Sequence, residues 1–197
     1  MMISLALFCI LTLALPTDLV RAVDQSMDNA LSPARQNNLL TQTSAVVSAM
    51  TSMLALGGLA LIAVATCLIR RTSPRRILFL LAAPILSVAV AGILKVLVRR
   101  DRPESGEGFA FPSGHATNTT TLLIVVLFLA VPLIAATATR NLGLLLCAQF
   151  LVGSARLLSG EHWLTDVVAG LLLGTVLGVG LTLLEAATRN VATTPKD

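Results

Sequence analysis

Residues 77–98 read ILFLLAAPILSVAVAGILKVLV, and the one charge in that run, Lys95, falls close to its end. Arg75-Arg76 precede the run and Arg99-Arg100 follow it. A helix crossing ~30 Å of hydrocarbon needs roughly 20 apolar residues. An apolar stretch of that length, bordered by cations, reads as a transmembrane helix. Four more stretches have the same character. Residues 46–69 and 116–139 are uncharged, 141–158 carry only Arg156 near the end, and 163–184 carry only Asp166 near the start. Pro84 and Pro132 lie inside two of these runs, which membrane helices tolerate better than soluble ones.

Residues 2–20 are different, being apolar to Leu15 and then meeting Pro16 and Asp18. They read as a retained first helix, the reading we favour, or as a signal peptide ending at Val20-Arg21-Ala22. No positive charge precedes the apolar run, as a signal peptide would ask. Residues 21–45 are polar and read as a loop, with room for a short amphipathic helix on the membrane surface. The expectation is an all-α, polytopic membrane helix bundle of about six transmembrane helices. It forms a single domain over residues 1–197, with 185–197 as a cytoplasmic tail.

Composition agrees. Of 197 residues, 55% are hydrophobic and 12% charged, about half the charged share of a soluble domain. The net charge of +4 comes with no basic stripe interleaved with aromatics, so nucleic acid is not an expected partner. Cys9, Cys67 and Cys147 all lie in apolar runs and read as small packing residues rather than a disulfide framework or zinc site.

Orientation follows from Arg70-Arg71-Thr72-Ser73-Pro74-Arg75-Arg76, a tight loop with four arginines and no acid, which should be cytoplasmic. Alternation then puts Arg140 and the C-terminal tail inside, and residues 21–45, 99–115 and 159–162 outside.

Lys95, Arg156 and Asp166 lie at the ends of three spans, all on the outer side by this alternation. A charge at the bilayer centre costs about 2.5–3.5 kcal/mol by insertion scales, so such residues are candidates for function. The outer loops add Arg99, Arg100, Arg102, Ser113, His115 and His162, and the chain has no other histidines. Singly, each has a plain explanation. Lys95 or Arg156 can snorkel, Asp166 can cap a helix, Trp163 can anchor at the interface, and Arg99 and Arg100 can meet lipid headgroups. Jointly these explanations leave the convergence unexplained. Lysine and arginine around one point make an anion pocket. Ser113-Gly114 before a helix start adds a hydroxyl and N–H groups. One histidine can attack phosphorus while the other protonates the leaving oxygen. His162 and Asp166, at i and i+4, share a face if the last helix starts near residue 162.

Lys95 with Arg102-Pro103, then Pro112-Ser113-Gly114-His115, then Arg156, His162 and Asp166 together resemble the three-part signature of the type 2 phosphatidic acid phosphatase family, related to vanadium haloperoxidases. The resemblance implies catalytic His162, His115 and Asp166, as nucleophile, general acid and orienting partner. It implies a phosphate held by Lys95, Arg102, Ser113, Gly114 and Arg156, with no metal and no cofactor. It departs at Ala155, where the family pattern has Ser, so one phosphate hydrogen bond is missing or supplied otherwise. The implied substrate is a lipid phosphate or diphosphate of undecaprenyl diphosphate, phosphatidic acid or phosphatidylglycerophosphate type. The implied place is a bacterial cytoplasmic (inner) membrane, with the site facing outward. A transporter of an anionic solute and a non-catalytic lipid-binding protein are the rival classes. The first should carry charges near the midplane, and the second has no need of both histidines.

Gly170, Gly174 and Gly178 form a small-residue stripe for close helix packing. Thr117-Asn118-Thr119-Thr120-Thr121 either solvate a headgroup or satisfy nearby backbone.

Overall fold

The computed structural model describes residues 1–104, 107–130 and 138–193. Among these, every regular element is a helix: α1 (Met2–Ala14), α2 (Asp18–Arg35), α3 (Asn38–Met50), α4 (Met53–Ile69), α5 (Pro74–Val98), α6 (Gly114–Leu129), α7 (Ala138–Leu158) and α8 (Leu164–Thr193). The chain is a helical membrane bundle. Helices α5, α7 and α8 are each long and apolar enough to cross a bilayer, and α1+α2 and α3+α4 qualify only as bent pairs. Helix α6 is shorter, but it is the most buried of the set, enclosed by α4, α5, α7 and α8. The rest of the stretch expected as its span, 131–137, lies outside the described residues.

Three expectations need correction. The first helix ends at Ala14 rather than reaching residue 20, because Pro16 cannot continue the hydrogen-bond ladder. Thr17 then caps a new helix set at 96° to the first. The run 46–69 is not one helix. It breaks at Thr51-Ser52, where the Thr51 hydroxyl donates to the Val47 carbonyl at 2.9 Å and Ser52 caps α4. Hydroxyl side chains offer the backbone these local alternatives. Residues 21–45 hold most of two helices, with Asn37 accepting from the Leu39 and Leu40 N–H groups at the start of α3.

At the end of the bundle expected to be cytoplasmic, α5 and α8 meet. Arg76 pairs with buried Glu185 at 3.5 Å, and Arg75 donates to the Thr188 carbonyl at 2.5 Å. The expected tail from residue 185 is thus helical as far as Thr193 and held to α5 at Glu185 and Thr188. Cys67 is fully buried in the core with Leu80, Leu122 and Val125, whereas Cys9 and Cys147 are exposed on outer faces rather than packed.

The glycine stripe fastens α8 to α6. A Cβ on Gly170 would come within 2.6 Å of the Ser113 carbonyl oxygen, one on Gly174 within 2.6 Å of the Thr117 oxygen, and one on Gly178 within 2.8 Å of the Ile124 Cβ. Only glycine allows this approach. The threonine run serves the same seam. Thr117 donates to the Ser113 carbonyl at 2.9 Å, and Thr121 to the Thr117 and Gly174 carbonyls at 2.8 and 3.3 Å.

Candidate active site

Helix α5 ends where Arg99 adopts a left-handed conformation (φ 52°), its N–H donating to the Lys95 carbonyl at 2.9 Å. The Lys95 ammonium donates to the Phe109 and Ala110 carbonyls at 2.5 and 3.2 Å, tying these two residues back over the helix end. Its Cε lies 4.0 Å from where a Gly114 Cβ would stand, so the first turn of α6 passes directly beside it.

The left-handed turn leaves Arg99 exposed and turns Arg100 inward. The Arg100 guanidinium donates to Asp166 Oδ1 at 2.6 Å, Thr165 Oγ1 at 2.7 Å and Asp24 Oδ2 at 2.5 Å. Asp24, on α2, also accepts from the Thr165 N–H and hydroxyl at 3.0 and 2.6 Å. The assignment of Arg100 to lipid headgroups is therefore wrong. It clamps the start of α8 to α2. Trp163, read as an interface anchor, pins the same loop through its indole N–H to the Asp101 carbonyl at 2.9 Å, with the Arg100 guanidinium 5.7 Å from its ring centre.

Asp166 is fully buried. Helix α8 starts at Leu164 rather than at residue 162, and Asp166 Oδ2 reaches back to accept from the Trp163 N–H at 2.9 Å, the acidic half of a capping box. Its carbonyl accepts from the Ser113 N–H at 3.0 Å, joining the starts of α6 and α8. His162 lies in the turn just before α8 and still faces this carboxylate. Its Nδ1 is 3.8 Å from Asp166 Oδ2, oriented but beyond hydrogen-bond reach. Burial pushes the His162 imidazole below its ordinary value of 6.5. Asp166 opposes that shift, and the Lys95 and Arg156 cations reinforce it.

Arg156, on the last turn of α7, is 2% exposed. One of its terminal nitrogens, Nη1, donates to Ser48 Oγ on α3 at 3.1 Å, and the other pairs closely with Glu161. Ala155 is buried, and the hydroxyl beside Arg156 thus comes from Ser48. Arg102 reaches the same Glu161 Oε2 at 3.0 Å. His115, in the first turn of α6, lies in the electrostatic reach of Arg156, Glu161, His162 and Lys95. The structure therefore gathers Lys95, Arg102, Ser113, Gly114, His115, Arg156, His162 and Asp166 at one end of the bundle. Sequence reasoning missed Asp24, Ser48 and Glu161 there. Glu161 left a signal, as an acid next to a loop histidine, while Asp24 and Ser48 left none.

Four of these residues have a buried polar atom without a protein partner: Arg102 Nε, Arg156 Nε, Ser113 Oγ and His162 Nδ1. Leaving a buried donor or acceptor unsatisfied costs about 1–3 kcal/mol. Four in one place mark a site shaped for a polar ligand rather than for the fold alone. Three are donors from cations or a hydroxyl, and a tetrahedral oxyanion matches them. Among the described residues, no three His, Cys, Asp or Glu side chains gather as a metal shell requires.

Residues 76–189 match the sequence model of the PAP2 superfamily. The chain belongs to that superfamily. Its fold is similar to that of a transmembrane PAP2-type phosphatidylglycerolphosphate phosphatase from Bacillus subtilis, with a TM-score of 0.81 and 24% sequence identity, over 93% of this chain and 94% of that one. The PAP2 match begins at the start of α5 and takes in every residue of the sequence signature. It leaves out α1 to α4, which supply Asp24 and Ser48.

Proposed function

We propose that this protein is a membrane lipid phosphatase that hydrolyses a lipid phosphate or diphosphate through a phosphohistidine on His162. Membership of the PAP2 superfamily and the likeness to a phosphatidylglycerolphosphate phosphatase support the class of reaction. The observation that carries the reading is the convergence of two imidazoles with three cations, two of which, Arg102 and Arg156, keep a buried Nε without a protein partner.

Lys95, Arg102 and Arg156, with the Ser113 hydroxyl and the first-turn N–H groups of α6, hold and neutralise the phosphate oxygens. The low basicity of His162 keeps it neutral near pH 7, with a lone pair for in-line attack on phosphorus. Asp166 fixes the ring so that Nδ1 keeps the proton and Nε2 attacks. The 3.8 Å separation shortens as positive charge develops on the ring. His115 gives a proton to the leaving lipid oxygen. Water then attacks the phosphohistidine and gives its proton back to His115, releasing orthophosphate and restoring both imidazoles. The barrier is lowered chiefly by positioning and charge.

Undecaprenyl diphosphate, phosphatidic acid and phosphatidylglycerophosphate all present such a headgroup while their tails stay in the bilayer. The arginine-rich loop before α5 supports an outward-facing site in a bacterial cytoplasmic membrane. The test is a panel of these lipids in detergent, scored for orthophosphate with and without a chelator, beside His162→Ala and His115→Ala. Release that survives chelation and is lost in both variants is expected. A strict divalent-metal requirement, or full activity in His162→Ala, overturns the mechanism.

A further inference from the structure

Glu161 precedes the proposed nucleophile, and one of its oxygens, Oε2, meets both Arg102 and Arg156. These are the guanidiniums that the proposed function, on which this inference rests, assigns to the substrate phosphate. A carboxylate and a phosphate use the same planar fork of donors, so the two compete for it. The turn that carries Glu161 is held in place. Gly160 adopts φ 66°, where a Cβ would lie 2.5 Å from the Glu104 carboxyl carbon. The Glu104 N–H donates to the Gly160 carbonyl at 3.2 Å, and its carboxylate pairs with Arg35 at 3.3 Å. Burial alone would raise the Glu161 carboxyl, but Arg156 and Arg102 outweigh it and hold the group below its ordinary range, ionised at neutral pH. Its side chain is 42% exposed, so it has room to swing away toward solvent.

We propose that Glu161 is a resident anion that makes the site select headgroups carrying at least two negative charges. A tethered competitor acts at an effective concentration of about millimolar or more. A phosphomonoester or diphosphate brings a second charge and displaces it. A phosphodiester lipid brings a single charge, gains no more from the arginines than Glu161 already gives, and is refused. Bilayers present phosphodiester headgroups in large excess, so a site open to the membrane surface benefits from this filter.

The test uses the full chain in detergent micelles, as wild type, Glu161→Gln and Glu161→Asp. Orthophosphate affinity is measured by calorimetry near pH 7.5. Competition by phosphatidylglycerol is measured against whichever lipid phosphate is turned over. Glu161→Gln is expected to bind orthophosphate about three- to tenfold tighter, the worth of ion pairs whose carboxylate is partly exposed. Phosphatidylglycerol is expected to raise KM in Glu161→Gln while wild type and Glu161→Asp resist it. Equal or weaker orthophosphate binding in a Glu161→Gln protein that melts like wild type overturns the inference and leaves Glu161 as a positioning residue. Should Glu161→Gln melt early, wild type decides: strong competitive inhibition by phosphatidylglycerol overturns the inference and resistance supports it. If neither wild type nor Glu161→Gln binds orthophosphate, the phosphate site itself is wrong and this inference falls with it.

Discussion

Two groups of arginines flank the same pair of helix starts, and they are built in opposite ways. Arg100 has its terminal nitrogens occupied by Asp24, Thr165 and Asp166, and both carboxylates are almost wholly buried. Arg102 and Arg156 share a single, partly exposed carboxylate, and each retains a buried Nε without a partner. The first arrangement is committed to buried groups of the fold. The second holds donors in reserve. Within one protein end, Arg100 is bound to two carboxylates that cannot leave, whereas Arg102 and Arg156 hold one that can.

His162 lies between the two groups, in the turn that both hold, and its replacement by alanine gives the largest effect. Orthophosphate release should fall about 10⁴-fold or more while the protein still binds vanadate, because the positioning cations remain. Retained turnover would mean that the reserve donors serve another reaction. Arg156→Ala should lower kcat/KM by about 10²–10³-fold, the usual loss for a donor aimed at transition-state charge. Arg100→Ala should act on the other side of the contrast. It leaves Asp24 and Asp166 buried and uncompensated, so thermal or denaturant unfolding should show a loss of about 3–5 kcal/mol. If Arg156→Ala destabilises more than Arg100→Ala, the division between the groups is wrong.

The smallest effect concerns pH. His162 titrates below 6.5 and attacks only when neutral, so its ionisation should make kcat/KM fall on the acid side below 6.5, while the proton that His115 must carry sets the alkaline limb. Asp166 raises that value, so Asp166→Asn should move the acid limb to lower pH along with its loss of rate. The linkage has the same sign. A histidine depressed in the folded state contributes stability that is complete above its unfolded value and is lost as pH falls through the folded one. An acid limb that moves upward in Asp166→Asn would break the assignment.

Much of this was readable from sequence because charge inside apolar runs is conspicuous. Lys95, Arg156 and Asp166 announce themselves, and the spacing to Ser113, His115 and His162 places them together. Other parts were hidden for physical reasons. Arg99 and Arg100 are chemically identical neighbours, and only a left-handed residue at the end of α5 sends one to solvent and the other to Asp166. Asp24 looks like Asp18 and Asp28 in a polar segment, and its role depends on a 96° bend that no periodicity shows. The break at Thr51-Ser52 was masked by the apolar residues around it, although its hydroxyls were the clue.

The glycine seam between α6 and α8 has a consequence for how this catalyst can change. His115 rides on one of those helices and His162 just ahead of the other. Their separation is thus dictated by the α8 main chain lying against carbonyls and short or branched side chains of α6. A mutation there has nowhere to yield. Adaptation to bulkier or slimmer lipids must therefore come from residues outside this seam, leaving the chemical gap untouched.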